Sequence, residues 1–267
     1  MKKWVLVTGS EGYIGQHLIK MMSDRYNIRR LDIKGNHSWD ITKKLKSGSI
    51  KFDAVVHLAA LVRANESVEN PWSYYNTNIN GTWNVLNKIH YDNFIFASTG
   101  LATNPINPYS YSKRVAEDIV TEHCTKNKLD FTIFRFYNVI GSDGFDPTNP
   151  DGLFYNLNKA EETGVFNLCG TDYNTKDGTC IRDYIHVNEI CNAIIKSIEN
   201  PSGQIENLGT GVGKTVLEII DRYKLTNQVD FEVINIGRRD GDIEVSVLDN
   251  PSSYYEQLYT FEEMLKV

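Results

Sequence analysis

The sequence predicts an α/β fold, a doubly wound parallel sheet joined to a small second lobe, and three observations carry that expectation. Short apolar runs alternate with helical patterns from Trp4 to Tyr137, and strand and helix taking turns argues for a parallel sheet covered on both faces. A length of 267 residues suits one α/β domain with a smaller appendage. A loop rich in Gly, Asp, Pro and Asn, from Gly141 to Asp151, then marks a change of organisation.

Trp4 to Thr8 reads as the first buried strand. Met1-Lys2-Lys3 ahead of it gives only a superficial likeness to a signal peptide, because the apolar run is short and breaks into glycines. A helix near Ile14 to Asp24 follows, then strands at Ile28 to Asp32 and Ala54 to Leu58, a helix from Trp72 to His90, and a strand from Phe94 to Ser98. The helix that opens at Tyr109 runs to about Lys126, and Phe131 to Tyr137 closes the series as another buried strand. Beyond the loop come a short helix, the run Val165 to Gly170, a polar loop, Cys180 to Val187, and a helix over Glu189 to Glu199. Ile205 to Leu208 returns as a further strand of the first sheet. The first domain is therefore expected over 1–137 and 180–208, and the lobe over 138–179 and 209–267.

A formal net charge of -6 offers no broad basic field, which argues against nucleic acid and anionic membrane as partners. Any phosphate must be gripped locally. Cys124, Cys169, Cys180 and Cys191 show no Cys-x-x-Cys spacing and no nearby His cluster, so no metal site and no disulfide framework is indicated, and buried free thiols are expected. No apolar run approaches the roughly 20 residues of a membrane span. The expected location is cytoplasmic, which makes Asn65-Glu66-Ser67 a chance glycosylation match.

Val7-Thr8-Gly9-Ser10-Glu11-Gly12-Tyr13-Ile14-Gly15 places Gly-x-x-Gly-x-x-Gly between a predicted strand and a predicted helix. Glycine permits the tight turn and close approach, while the helix N-terminus offers N–H groups and partial positive charge to a pyrophosphate. Gly9, Gly12, Tyr13, Ile14 and Gly15 are thus candidate cofactor contacts of a Rossmann domain. Asp32 lies about 20 residues beyond the glycines, where a carboxylate accepts from the adenosine ribose and repels an extra phosphate. That favours NAD. Asp40 and Ile41 are candidates to flank the adenine, with a merely solvated Asp40 as the competing reading, and Leu58, Ala59 and Ala60 end a strand with small residues where a cofactor passes. A second cluster, Gly209 to Thr215, lacks the glycine a P-loop needs, since Leu208 stands there. It reads as a turn into the helix at Val216.

Tyr109 and Lys113 stand four residues apart, on one helix face and one turn from each other. An ammonium held there lowers the pKa of a phenol and makes it a usable general base. By itself this spacing also fits an ordinary amphipathic helix; the glycine fingerprint and the downstream arginines turn the reading toward chemistry.

Together these residues resemble the extended short-chain dehydrogenase/reductase superfamily, and within it the UDP-galactose (UDP-glucose) 4-epimerases. The resemblance runs through the glycine fingerprint, His57-Leu58-Ala59-Ala60-Leu61, Glu66-Ser67-Val68, Asn78-Ile79-Asn80-Gly81-Thr82, Phe94 to Thr99, Tyr109 with Lys113, and Arg135-Phe136-Tyr137-Asn138. Asp172 to Val187 is its most diagnostic segment, and Asn207-Leu208-Gly209 and Arg238-Arg239-Asp240-Gly241-Asp242 extend it. The resemblance implies that Tyr109 accepts the O4 proton, that Lys113 lowers its pKa and holds the nicotinamide ribose, and that Thr99 bonds the sugar O4. It implies that Tyr137 touches NAD and that Asn138, Leu153, Arg182, Arg239 and Asp242 hold the UDP, the arginines on its diphosphate. The implied reaction is 4-epimerisation of a UDP-hexose through a transient 4-keto sugar.

Relatives that dehydrate the sugar carry an Asp-Glu pair directly after the catalytic Thr, whereas Gly100-Leu101 follows Thr99 here. A uronic acid 4-epimerase or decarboxylase is the nearest enzymatic alternative, and a noncatalytic NAD-binding regulator the alternative of another class. The chain is shorter than typical members, with contractions between Thr99 and Tyr109 and after Asp249, so the substrate lobe is reduced. Ser246 falls at a gatekeeper position where a bulky Tyr excludes N-acetylated hexoses, which implies that UDP-GlcNAc and UDP-GalNAc enter as well; an ordinary surface Ser is the competing reading. Relatives dimerise through the helices corresponding to Trp72–His90 and Tyr109–Lys126, so a homodimer is expected by analogy.

Overall fold

The computed structural model describes residues 1–35, 39–43, 50–239 and 242–266. Asp240 and Gly241 of the resemblance lie outside the described residues. In chain order the elements are β1 (Trp4–Thr8), α1 (Tyr13–Met22), β2 (Asn27–Leu31), β3 (Lys51–His57), α2 (Ala64–Glu69), α3 (Pro71–Tyr75), a π-helical turn (Asn76–Gly81), α4 (Thr82–Lys88) and β4 (His90–Thr99). A 3-10 turn (Gly100–Ala102), α5 (Pro108–Asn127), β5 (Asp130–Phe136), β6 (Asn138–Ile140), α6 (Leu153–Thr163), β7 (Val165–Leu168) and β8 (Ile181–His186) come next. The chain continues with α7 (Val187–Glu199), β9 (Ile205–Leu208), β10 (Gly213–Thr215), α8 (Val216–Asn227), β11 (Glu232–Asn235), β12 (Val245–Ser246) and α9 (Phe261–Met264).

Six strands form one sheet in the order β2-β1-β3-β4-β5-β9. The pairs β1–β2, β1–β3, β3–β4 and β4–β5 are all parallel, as alternating strands and helices require. Buried on both faces, β1, β3 and β4 carry near-continuous apolar runs, with Val5, Val7, Ala54, Val55, Val56, Phe94 and Phe96 all 0% exposed, whereas β2 at the edge exposes Arg29 and Arg30. The strand order reverses between β1 and β3, and a doubly wound sheet binds ligands at the carboxyl ends of the strands on either side of such a reversal.

Contacts divide the chain into two units, 1–136 with 191–206 and 137–190 with 207–267. The first contains the large sheet's core, with Val85, Phe94, Phe96, Ala116, Val120 and Ile133 in one cluster. The second contains a four-stranded sheet, β10-β8-β12 with β6 also on β8, and the pair β11–β7. Its core gathers Phe154, Leu157, Phe166, Ile219, Ile220 and Tyr223. The expected boundary placed all of 180–208 in the first domain. The structure splits that stretch, because β8 pairs with β6, β10 and β12 in the second unit, while Cys191–Glu206 belongs to the first.

The expected single helix from Trp72 to His90 is also corrected. A π-helical turn interrupts it, and His90 already belongs to β4. Of the Gly209–Thr215 cluster, read as a turn into the helix at Val216, Gly213–Thr215 is strand β10 on β8; ahead of it the buried Asp183 carboxylate accepts from Thr210 N and Oγ1 at 2.8 and 2.7 Å and from Gly211 N at 2.9 Å. Thr215 then caps α8 in a reciprocal box with Glu218. Among the described residues no helix is long and apolar enough to cross a membrane.

Candidate active site

β1 ends in Thr8 and the chain turns at Gly9, whose φ of +71° favours glycine. A Cβ on Gly9 would lie 2.7 Å from Ala59 N, and one on Gly15 only 2.3 Å from Gly9 O. These two glycines let the end of β3 and the first turn of α1 close on the loop. Gly12 caps α1 with no side-chain hydrogen bond, so the positive end of α1 carries only main-chain groups there, which is the cradle a pyrophosphate fits. Asp32 is locked at the end of β2, its Oδ2 accepting from Glu11 N at 2.9 Å and its Oδ1 from Lys34 N at 3.0 Å. A carboxylate so held retains lone pairs for ribose hydroxyls. The chain's own residues thus fit a dinucleotide.

The structure places Ile41 in the core, 7% exposed, and a Cβ on Gly81 would strike its Cδ1 at 2.6 Å. Asp40 Oδ1 accepts from the backbone and hydroxyl of Thr42 at 2.9 and 2.7 Å, and that turn holds its carboxyl below the usual range. Both residues therefore have structural duties. Leu58 and Ala59 are fastened to β1 through Thr8, at 3.1 Å from its carbonyl and 3.3 Å from its hydroxyl. His57 lies between the hydroxyls of Thr8 and Thr82, at 2.6 and 3.0 Å. Burial drives its pKa down to about 3, so it stays a neutral imidazole.

α5 starts where Asn107 and Ser110 form a reciprocal cap, Asn107 Oδ1 accepting from Ser110 N at 2.9 Å. The cap and Pro108 at the first position fix the first turn. Tyr109 therefore leaves that turn and Lys113 the next. The hydroxyl of Thr99, the last residue of β4, acts on the Tyr109 phenol in the sense that favours its ionised form, and Tyr74 stands edge-on to the Tyr109 ring at 6.4 Å. The Lys113 ammonium sits 4.1 Å from the centre of the Phe96 ring and is 4% exposed. Burial pushes the Tyr109 phenol up to about 12, with only the Thr99 hydrogen bond opposing it. Burial also lowers Lys113 to about 7, against the raising effect of Glu117. The lowering of Tyr109 expected from Lys113 does not figure in its shift: burial raises the phenol, and Thr99 is the group that favours the phenolate.

In the second unit, Arg182 on β8 reaches Asp242, Nη2 to Oδ1 at 3.5 Å, and donates to the carbonyls of Ile181 and Glu244 at 3.0 and 3.3 Å. Ser246 pairs with Arg182 in register across β12 and β8. Arg239 donates from Nε to Cys169 Sγ at 2.9 Å and from Nη1 to the carbonyl of Asp151 at 3.2 Å, just before Leu153 opens α6. Asp242 N donates to Arg239 O at 3.3 Å. The structure thus gathers Arg182, Asp242 and Ser246 and ties Arg239 to them through one turn. Asn138 Nδ2 donates to Asp183 O at 3.0 Å, on β8, and Tyr137 N to Leu208 O at 3.1 Å, on β9.

Sequence reasoning missed several groups. Glu117 and Arg135 form a buried ion pair behind Lys113. Asn78, in the π-helical turn, clasps Leu61 N and O and Ser112 Oγ, each at 2.9 Å. Glu117 carried a readable signal, since it falls on the stripe of Lys113, Ala116, Val120 and Cys124, where a charge is out of place. All four cysteines are free, but Cys169 is only half-buried, unlike the other three.

Residues 5–209 match the NAD dependent epimerase/dehydratase family. The chain is 30% identical to the probable UDP-arabinose 4-epimerase 3 of Arabidopsis thaliana, over 95% of this chain and 75% of that protein. It is also 30% identical to UDP-glucose 4-epimerase 2 of the same plant, over 92% and 87% respectively. The crystal structure of UDP-glucose 4-epimerase from Brucella ovis in complex with NAD superposes with a TM-score of 0.86, at 25% identity and with 99% and 96% of the two chains covered. With the glycine cradle, the Asp32 anchor and the Thr99–Tyr109–Lys113 set in place, the chain belongs to the NAD dependent epimerase/dehydratase family.

Proposed function

We propose that this protein is an NAD-dependent 4-epimerase of UDP-hexoses, interconverting UDP-glucose and UDP-galactose and also UDP-GlcNAc and UDP-GalNAc, through a transient 4-keto sugar. The observation that supports it most is Tyr109 one helical turn from a buried Lys113 on α5, with the Thr99 hydroxyl favouring the phenolate, on the unit that carries the glycine cradle. Bound NAD supplies reversible oxidation at C4 and a positive charge that favours the Tyr109 phenolate. Tyr109 takes the O4 proton and later returns it, Thr99 holds O4, and Lys113 balances the negative charge. Gly9, Gly12, Tyr13, Ile14, Gly15, Asp32, Leu58, Ala59, Ala60 and Tyr137 serve the dinucleotide. Arg182 and Arg239 bind the diphosphate, with Asn138, Leu153 and Asp242 around the uridine. The first unit is thus the NAD domain and the second the UDP-sugar lobe.

Ser246 is small and stands beside Arg182, which supports room for an N-acetyl group. The relatives named UDP-arabinose 4-epimerases support a second reading, a UDP-pentose substrate, whose C4 chemistry is the same. We also propose a homodimer and a cytoplasmic location. Exposed apolar side chains on α3, α4 and α5, namely Trp72, Trp83, Tyr111 and Val115, support the first, and free thiols suit a reducing compartment.

Incubation with each UDP-sugar, product separation and identification of retained nucleotide test the reading. The expected outcome is UDP-galactose from UDP-glucose, UDP-GalNAc from UDP-GlcNAc, and NAD released on denaturation. Conversion of UDP-arabinose alone would replace the hexose by the pentose, and conversion of none would refute epimerisation. Light scattering should give about twice 30.4 kDa; a mass of one chain would refute the dimer.

A further inference from the structure

Glu117 lies four residues past Lys113 on α5, on the same face, and is 0% exposed. Its carboxylate draws together three elements. Ser98, the residue before Thr99 on β4, donates from Oγ to Glu117 Oε1 at 2.5 Å. Arg135, opposite Ser98 in the β4–β5 register, donates from Nε to Oε1 at 2.9 Å and from Nη2 to Oε2 at 2.6 Å. Its Nη1 goes on to Thr103 Oγ1 at 3.0 Å, at the end of the 3-10 turn that begins with Gly100. The helix bearing Tyr109 and Lys113 is therefore clamped, by a bidentate buried pair, to the strand end and turn that set Thr99.

The clamp also places a fixed negative charge beside Lys113. On its own helix Lys113 has Tyr109 one turn before it and Glu117 one turn after; the neutral imidazole of His57 from β3 and the Phe96 ring from β4 face the ammonium, and Arg135 reaches the cluster from β5 through Glu117. Glu117 is the one carboxylate among them. We infer that Glu117, held by Arg135 and Ser98, is a positioning residue of the epimerisation, keeping Lys113 charged and Thr99 aligned with Tyr109. This rests on the function proposed above, in which Lys113 must balance the Tyr109 phenolate. Burial by itself lowers Lys113 and Glu117 opposes that, so loss of the carboxylate's charge favours a neutral Lys113 and makes the phenolate–ammonium arrangement rarer by the same factor.

The test compares Glu117→Gln with Glu117→Asp, which keeps the charge. In protein labelled with 13C at lysine Cε, Lys113 is assigned by its loss in Lys113→Met and followed by NMR as pH is raised. The expected midpoint near about 7 falls by about one pH unit in Glu117→Gln and stays in Glu117→Asp. kcat on UDP-glucose falls about tenfold in Glu117→Gln with KM within twofold. Should Glu117→Gln fail to fold because Arg135 is left unpaired, Arg135→Gln, which keeps the carboxylate and removes the cation held on it, is read in the opposite sense: the Lys113 midpoint rises, and an unmoved midpoint there would overturn the inference. An unmoved Lys113 midpoint in the folded variant would overturn the inference, and so would a raised KM with unchanged kcat. The NMR titration does not depend on turnover, so an inactive wild type would defeat the functional reading without deciding this one.

Discussion

At the residue scale, Tyr109 and Lys113 share one proton over most of the accessible pH range. With the lysine lowered to about 7 and the phenol raised to about 12 by burial, both carry protons below the first value and neither does above the second. The working arrangement, phenolate with ammonium, is one of the two ways of placing a single proton on the pair, so its population follows the singly protonated state. Below about pH 7 the extra proton must leave before O4 can be deprotonated. kcat for UDP-glucose should therefore rise through about pH 7 and then stay level to at least pH 9. A kcat that instead fell above pH 7 would show Lys113 acting as an ammonium titrating independently of Tyr109. These residues are legible in the sequence because the chemistry fixes their types and spacing. Glu117 showed only as a charge on the buried stripe of α5; its partners, Ser98 and Arg135, were hidden because the β4–β5 register brings them to it.

At the element scale, the start of α5 determines where Tyr109 points. Asn107 and Ser110 cap one another, and an Asn cap replaced by Ala costs about 1 kcal/mol. Asn107→Ala should lower the Tm by about 2–4 °C for a protein of this size, and should also lower kcat, since Tyr109 sits in the frayed turn. An unchanged melting curve would show that packing alone sets the helix start. The strands β1, β3, β4 and β5 were readable from their apolar runs, and β2, Asn27-Ile28-Arg29-Arg30-Leu31, from its place between helix and strand. The π-helical turn at Asn76–Gly81 was not, because one residue added to a helical turn leaves the polar and apolar pattern almost unchanged. Its reason is tertiary: Asn78 turns inward to bond Leu61 and Ser112, beside Lys113. The short strands β6, β10 and β12, three, three and two residues long, are set by pairing with β8 and have no period of their own.

At the scale of the whole molecule, the alternation of strands and helices was enough to give the doubly wound sheet, and the glycine fingerprint gave the end of it that binds the dinucleotide. The division of the chain was harder to read. Ile181–His186, with Arg182, Asp183 and His186 among its six residues, was expected with the large sheet, yet its partners are β6, β10 and β12. The same holds for the UDP-binding candidates: Arg182 and Asp242 stand 60 positions apart in the sequence and meet at 3.5 Å. Every role assigned to either unit depends on Tyr109 moving the O4 proton while NAD remains bound. The most direct measurement is turnover of UDP-glucose by Tyr109→Phe, with retained NAD assayed in the same preparation. A fall in kcat of at least about a hundredfold, with NAD content and melting temperature as in the wild type, is the predicted result. Near-normal turnover in that variant would contradict it.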